Sequence, residues 1–306
     1  MAELTRAAVI GTGTMGPGMG AVLARAGLET ALYDVSAEAL ERARAGVALA
    51  GDVLDRLEAP HRDGGGIRYE NELAAALEGA DVVIEAVPES LELKKQVFAD
   101  FERHVAPEAI LASNTSGIPI TEIANACEQP ERVVGMHWSN PPHLIPMIEV
   151  IPGERTDGSV VEATSELVRS FGYHPVVERE VPGFVENRIL YAILRECLDL
   201  VDRGIIDFEG LDLNVRWGIG YKLAVIGPME LLDMAGLDIY ESVASYLNKD
   251  LSTAKDVSQT IRDRTAKGQL GMKTSGGIYQ YTPEEIDAKR KERAAKLVAV
   301  RRALEG

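Results

Sequence analysis

Val9-Ile10-Gly11-Thr12-Gly13-Thr14-Met15-Gly16 is the stretch that decides the reading of this chain. A short apolar strand, Ala7 to Ile10, runs into glycines spaced Gly-x-Gly-x-x-Gly, and a helical segment, Met15 to Ala26, follows. In a strand–turn–helix unit of this kind the first glycine permits the tight turn. The second lets the backbone approach a pyrophosphate, and the third lets the helix pack close to the strand. Gly11, Gly13 and Gly16 stand in those places, with Thr14 and Met15 on the turn between them. Free N–H groups at the start of the helix then favour an anion. Asp34 closes the next strand, Glu29 to Tyr33. A carboxylate there accepts hydrogen bonds from ribose hydroxyls and repels a 2′-phosphate, which favours NAD over NADP. The bland alternative is a glycine turn that binds nothing, with Asp34 a helix cap.

Outward from this motif, short apolar runs alternate with helical segments. Ser36 to Leu57 is helical by composition, and Ala59 to Gly66 is a glycine-rich, charged loop. A helix over Asn71 to Ala80 leads to the strand at Asp81 to Ala86, and a helix over Leu91 to His104 leads to the strand at Ala109 to Ser113. Val133 to His137 and Met147 to Ile151 are two further strands. Such alternation predicts an α/β fold, a mainly parallel Rossmann-type sheet covered on both faces. Near Val181-Pro182-Gly183 the pattern changes, and almost everything beyond is helical. The reading is a dinucleotide-binding domain over residues 1–181 and an all-α substrate and dimerisation domain over residues 182–306. Phe184 to Arg203 is a long amphipathic helix whose stripe of Ile189, Ile193 and Leu200 reads as packing, and Gly204 is placed to end it. One helix is expected from Pro228 to Asn248, and Thr282-Pro283 opens a final charged helix.

Composition excludes several classes. The 306 residues hold 32 Lys and Arg against 48 Asp and Glu, a net charge of −16, which argues against a nucleic-acid partner. The basic run Lys289-Arg290-Lys291 reads as a solvated helix face. Two cysteines give neither a disulfide framework nor a metal site, and the expected setting is a reducing cytoplasm. No apolar run has the length of a signal or a membrane span, so no membrane association is expected.

Four further signatures follow the glycine motif. They are Ser113-Asn114-Thr115-Ser116, then His137-Trp138-Ser139-Asn140-Pro141 with Glu149, then Pro182-Gly183-Phe184-Val185-Glu186-Asn187-Arg188, then Leu270-Gly271-Met272-Lys273-Thr274. In this order they resemble the L-3-hydroxyacyl-CoA dehydrogenase family over nearly the whole chain. The His137 to His143 stretch and Trp217 to Lys222 look closest to its branch acting on 5-formyl-3-hydroxy-2-methylpyridine-4-carboxylate. The resemblance implies an NAD-dependent dehydrogenase that dimerises through the helical domain. It implies His137 as general acid/base, Glu149 as its partner, and Ser116 and Asn187 on the substrate oxygen. Glu89, Lys94 and Asn114 would face the cofactor.

The residues also carry plainer readings. An imidazole titrates near neutrality and suits the proton that hydride transfer leaves behind, yet a strand-end histidine is often a structural one. Glu149 sits in Met147-Ile148-Glu149-Val150-Ile151, where an unpaired charge is expensive to bury, so it needs a partner, and His137 is a candidate. Ser116 could cap a helix near Pro119. Asn187 could bridge the domains, and Glu89 with Lys94 could be a pair on a solvated helix face.

The sequence departs from the CoA-using members in one respect. Between Ala45 and Pro60 the only basic residue is Arg56, against Asp52, Asp55 and Glu58. CoA phosphates are normally met by Lys or Arg. A small hydroxy or formyl carboxylate is therefore the expected substrate, with Ser139, His143, Arg195 and Lys222 as the pool that could hold its carboxylate. A 3-hydroxyacyl-CoA, a carnitine- or gulonate-type substrate, and an NAD-binding structural protein stay open as alternatives.

Overall fold

The computed structural model of the protein describes residues 4–305. The chain divides into two compact units between Arg188 and Ile189. The first is built on one eight-stranded sheet: β1 (Arg6–Ile10), β2 (Glu29–Tyr33), β3 (Gly66–Glu70), β4 (Val82–Glu85), β5 (Ile110–Ser113), β6 (Val133–Trp138), β7 (Met147–Pro152) and β8 (His174–Val177). The order is β3-β2-β1-β4-β5-β6-β7-β8. Every neighbouring pair is parallel except β6 with β7. The α/β reading with a mainly parallel sheet stands.

Helices α1 (Gly16–Arg25), α2 (Ala37–Arg56), α3 (Leu73–Leu77), α4 (Leu91–Glu102), α5 (Ile120–Ala124) and α6 (Gly158–Ser170) belong to this unit. The central strands are apolar on both faces because helices cover both. Ala7 to Ile10, Val82 to Ile84 and Ile110 to Ala112 are all buried. The core continues into Phe98 and Phe101 of α4 and Ile120 and Ile123 of α5. Since β1, β4, β5 and β6 run parallel, their carboxyl ends lie along one edge. The chain order reverses between β1 and β4, and open sheets bind ligands in the crevice outside such a switch point.

Two edge strands lie outside the sequence expectation. β3 begins at the end of the predicted loop and mixes Arg68 and Glu70 with half-buried apolar residues. β8 is four residues long, contains Pro175 and exposes Val176 and Val177. Edge strands tolerate charge and proline, which erases the pattern that marks a buried strand.

Helix α7 (Phe184–Asp202) leads into the second unit. There α8 (Phe208–Asn214) passes through a π-helical stretch, Val215–Gly220, into α9 (Tyr221–Leu223). The single helix expected from Pro228 is two, α10 (Pro228–Ala235) and α11 (Leu237–Leu247). Gly236 between them adopts φ +97°, a left-handed conformation that ends α10. After α12 (Gln259–Ala266), helix α13 (Pro283–Glu305) opens on a reciprocal cap. Glu285 N–H donates to Thr282 Oγ1 and Thr282 N–H to Glu285 Oε2. From α8 through α12 no residue is buried. Of the stripe expected to be packed, Ile189 is 53% exposed, whereas Ile193 and Leu200 are half-buried.

Candidate active site

The glycine turn is shaped by crowding at two positions and by nothing in the protein at the third. Gly11 has φ +111°, and a Cβ there would stand 2.5 Å from the Ala86 carbonyl oxygen, so the turn lies against the end of β4. A Cβ on Gly16 would stand 2.1 Å from the Gly11 carbonyl oxygen. The close packing that requires Gly16 is thus against the turn itself more than against the strand. A Cβ on Gly13 would meet nothing within 4 Å. Folding does not demand glycine at 13, and the space it leaves open suits a ligand. No side chain caps α1, whereas Ser36, Ser90 and Asp157 cap α2, α4 and α6. The uncapped N–H groups and the open Gly13 fit a pyrophosphate.

Asp34 lies at the end of β2 and ties this turn down. Its Oδ2 accepts from the backbone N–H of Thr12 at 3.0 Å and from the Thr12 hydroxyl at 2.8 Å, and Oδ1 accepts from Ser36 N–H at 3.0 Å. Burial alone would raise this carboxyl, but the bonds from Thr12 and Ser36 and the charge of Arg42 hold it below the ordinary aspartate value. The cap of α2 is Ser36, not Asp34.

A buried charge network fills the carboxyl edge at β4 and β5. Lys94 Nζ, on α4, donates to both oxygens of Glu85 and lies 3.2 Å from Glu89 Oε2. Ser113, the register partner of Glu85, donates its hydroxyl to Glu85 Oε2 at 2.6 Å. Glu89 Oε1 accepts from the Thr115 hydroxyl at 2.6 Å and from the Ser116 N–H at 3.0 Å. Burial pushes the Glu89 carboxyl upward, yet the Thr115 hydroxyl, the Lys94 charge and the Ser116 N–H hold it below the usual range. Ser116 in turn accepts at its carbonyl from Asn187 Nδ2, 2.9 Å away. Glu89, Lys94, Ser116 and Asn187 therefore form one connected group. Lys94 is 1% exposed, which contradicts the solvated-face reading. Ser116 bonds to Glu89 rather than capping α5, which has no side-chain cap.

His137 and Glu149 are direct partners in the antiparallel β6–β7 pair, so both side chains stand on one face of the sheet. His137 Nδ1 lies 2.6 Å from Glu149 Oε2. Glu149 Oε1 accepts from the N–H groups of Glu186 at 2.7 Å and Val185 at 3.1 Å, in the first turn of α7. Burial opposes the charge on Glu149, but the His137 bond, the Glu186 N–H, the imidazole charge and the Val185 N–H together hold its carboxyl low. A helix start is where a carboxylate is most welcome. Phe184, fully buried at φ +48°, tilts against the imidazole at 5.9 Å between ring centres. Asn114, expected to face the cofactor, accepts at Oδ1 from the Trp138 N–H at 2.9 Å and so pins β6 beside His137.

The substrate-holding pool is divided between the two units. The Ser139 hydroxyl donates to Glu186 at 2.5 Å. The His143 ring is half-buried against α1, where burial lowers its basicity and leaves Nδ1 without a hydrogen-bond partner. Arg195 and Lys222 are exposed residues of the second unit. Sequence reasoning passed over Thr12, Glu85, Thr115, Glu178 and Glu186. Glu85 carried the same signal as Glu149, a charge among the apolar residues of a buried strand.

Known proteins resemble this chain along most of its length. The family model for the 3-hydroxyacyl-CoA dehydrogenase NAD-binding domain matches residues 6–181, and that for the C-terminal domain matches residues 183–281. The chain is 54% identical over 302 residues to 5-formyl-3-hydroxy-2-methylpyridine 4-carboxylate 5-dehydrogenase of Mesorhizobium japonicum, covering 98% of each chain. A crystal structure of a 5-formyl-3-hydroxy-2-methylpyridine 4-carboxylic acid 5-dehydrogenase, called there an NAD+-dependent dismutase, superposes with a TM-score of 0.97 at 53% identity over 99% of each chain. The 3-hydroxybutyryl-CoA dehydrogenase of Bradyrhizobium diazoefficiens is 33% identical, over 92% of this chain and 96% of its own. Family models over both parts of the chain and these identities agree: the chain belongs to the 3-hydroxyacyl-CoA dehydrogenase family and is an NAD-dependent dehydrogenase.

Proposed function

We propose that this enzyme oxidises a small formyl carboxylate, 5-formyl-3-hydroxy-2-methylpyridine-4-carboxylate, to the corresponding dicarboxylate. The chemistry rests on the contact between His137 and Glu149 at 2.6 Å. With Nδ1–H engaged by Glu149, the ring keeps Nε2 as its proton acceptor. The aldehyde hydrate presents an O–H and a C–H on one carbon, as an alcohol does. His137 takes the O–H proton while the hydride leaves the carbon and a C=O bond forms, so the hydrate becomes a carboxylic acid. Bound NAD supplies the hydride acceptor. Glu149 fixes the tautomer and stabilises the imidazolium. Glu89 holds the Ser116 segment in place, and Asn187 braces it from α7.

The 54% identity to the Mesorhizobium japonicum enzyme along nearly the full length supports this substrate. The acid-rich stretch between Ala45 and Pro60 supports a small acid over a CoA thioester. A panel of small aldehydes, alcohols and acetoacetyl-CoA, followed by the absorbance of reduced cofactor, tests the reading. The pyridine aldehyde acid is expected to give the highest kcat/KM, and a higher value for acetoacetyl-CoA overturns the assignment.

The working form in this proposal is a homodimer joined through the helical unit, and its setting is the cytoplasm. Trp217, Val225, Met229 and Met234 are each more than 60% exposed, in a unit whose α8 to α12 bury nothing. Among the described residues no helix is long and apolar enough to cross a membrane. Apolar exposure on this scale exceeds what soluble monomers ordinarily carry, and a second copy presenting the same face would cover it. Light scattering at micromolar concentration is expected to give twice the chain mass, and a monomer contradicts the dimer.

A further inference from the structure

Beside the His137–Glu149 pair stands a third acid that the reaction as described does not use. Glu178 follows β8, the strand paired with β7, and its N–H donates to the Val150 carbonyl at 3.2 Å. Its Oε1 accepts from the Val185 N–H at 2.9 Å. That same N–H reaches Glu149 Oε1 at 3.1 Å, so two carboxyl groups converge on one donor. The other oxygen of Glu178, Oε2, is buried with no hydrogen-bond partner. Two carboxylates sharing a donor repel each other, and a buried lone oxygen is costly unless it carries a proton that it can donate.

We propose that Glu178 is a positioning residue for the acid/base chemistry at His137, a carboxylic acid that donates its own hydrogen bond to Glu149. This inference rests on His137 being the proton acceptor. The groups facing Glu178 are Glu149 from β7, His137 behind it on β6, and the first turn of α7, which brings the Val185 N–H and Glu186. Glu180, two residues on, is engaged elsewhere, by the N–H and hydroxyl of Thr121. With Glu178 neutral, one negative charge lies against the imidazole and the Glu149 lone pairs are saturated. Once Glu178 ionises, a second charge arrives and the donor to Glu149 is lost. Burial and the charge of Glu149 raise this carboxyl to about 7, so the change falls near neutral pH.

Three variants and one spectrum test the idea. Gln at 178 keeps a neutral donor, so Glu178→Gln is expected to match the parent in kcat within about threefold at pH 6, while Glu178→Ala loses about tenfold. The ratio of Glu178→Gln to parent activity is expected to rise by about fivefold or more between pH 6 and pH 8.5, because only the parent ionises there. In the carboxyl carbon NMR spectrum of glutamate-labelled enzyme, the signal missing from Glu178→Gln is expected to titrate near neutrality. A constant activity ratio, or a Glu178 signal that titrates with the ordinary glutamates, overturns the proposal. Full turnover in His137→Asn instead refutes the acid/base reading, and the NMR titration still judges Glu178 by itself.

Discussion

Lys94 Nζ sits 2.7 Å and 2.8 Å from the two oxygens of Glu85, and neither side chain is more than 1% exposed. The pair binds α4 to the end of β4, and through Glu89 it reaches the segment carrying Ser116. Removing one partner leaves the other as an uncompensated buried charge. Glu85→Gln and Lys94→Met are each expected to cost about 3–5 kcal/mol of folding stability. The double variant should lose less than the two losses added together. Urea denaturation of the three variants checks this, and single losses below about 1 kcal/mol contradict it.

Asp34 holds Thr12 at the glycine turn, and the proposed reading gives its carboxylate a second task, accepting from a ribose. Asp34→Ala is expected to weaken NADH binding by about tenfold and to raise the relative affinity for NADPH, because the charge opposing a 2′-phosphate is gone. Fluorescence titration with both reduced cofactors is the check. An unchanged preference would show that Asp34 serves the fold alone.

Glu178 makes the stability of the chain depend on pH in a stated direction. Its folded value, about 7, lies above the ordinary 4.5, so between these pH values the folded chain binds the proton more tightly than the unfolded chain. The contribution of this group is full below pH 4.5 and is lost as the pH rises through 7. Glu178→Gln cannot lose it. The variant is expected to gain thermal stability relative to the parent on going from pH 6 to pH 8.5. Melting curves that stay parallel across that range contradict this.

The parts of this molecule that were legible in the sequence are those whose constraints are local. Gly11 and Gly16 are forced by atoms a few residues away or by the adjoining strand end, and the turn announces itself. Glu149 was legible because a lone charge among apolar residues demands a partner. Glu85 made the same demand, but its partner lies on α4, and Lys94 there looks like any surface lysine until the helix is packed. β8 has too little apolar pattern to be seen, so the convergence of Glu178 on Glu149 could not be foreseen. The break at Gly236 was hidden because a glycine within a helical pattern is often tolerated, and only its φ of +97° reveals the stop.

The central claim is that His137, held by Glu149, is the proton acceptor of the oxidation. Turnover of His137→Asn with saturating NAD and the pyridine aldehyde acid, beside its NADH affinity, tests this most directly. The account predicts cofactor affinity within about twofold of the parent and a fall in kcat of about a hundredfold or more. A variant that binds NADH normally and retains more than about a tenth of parental turnover would place the base elsewhere.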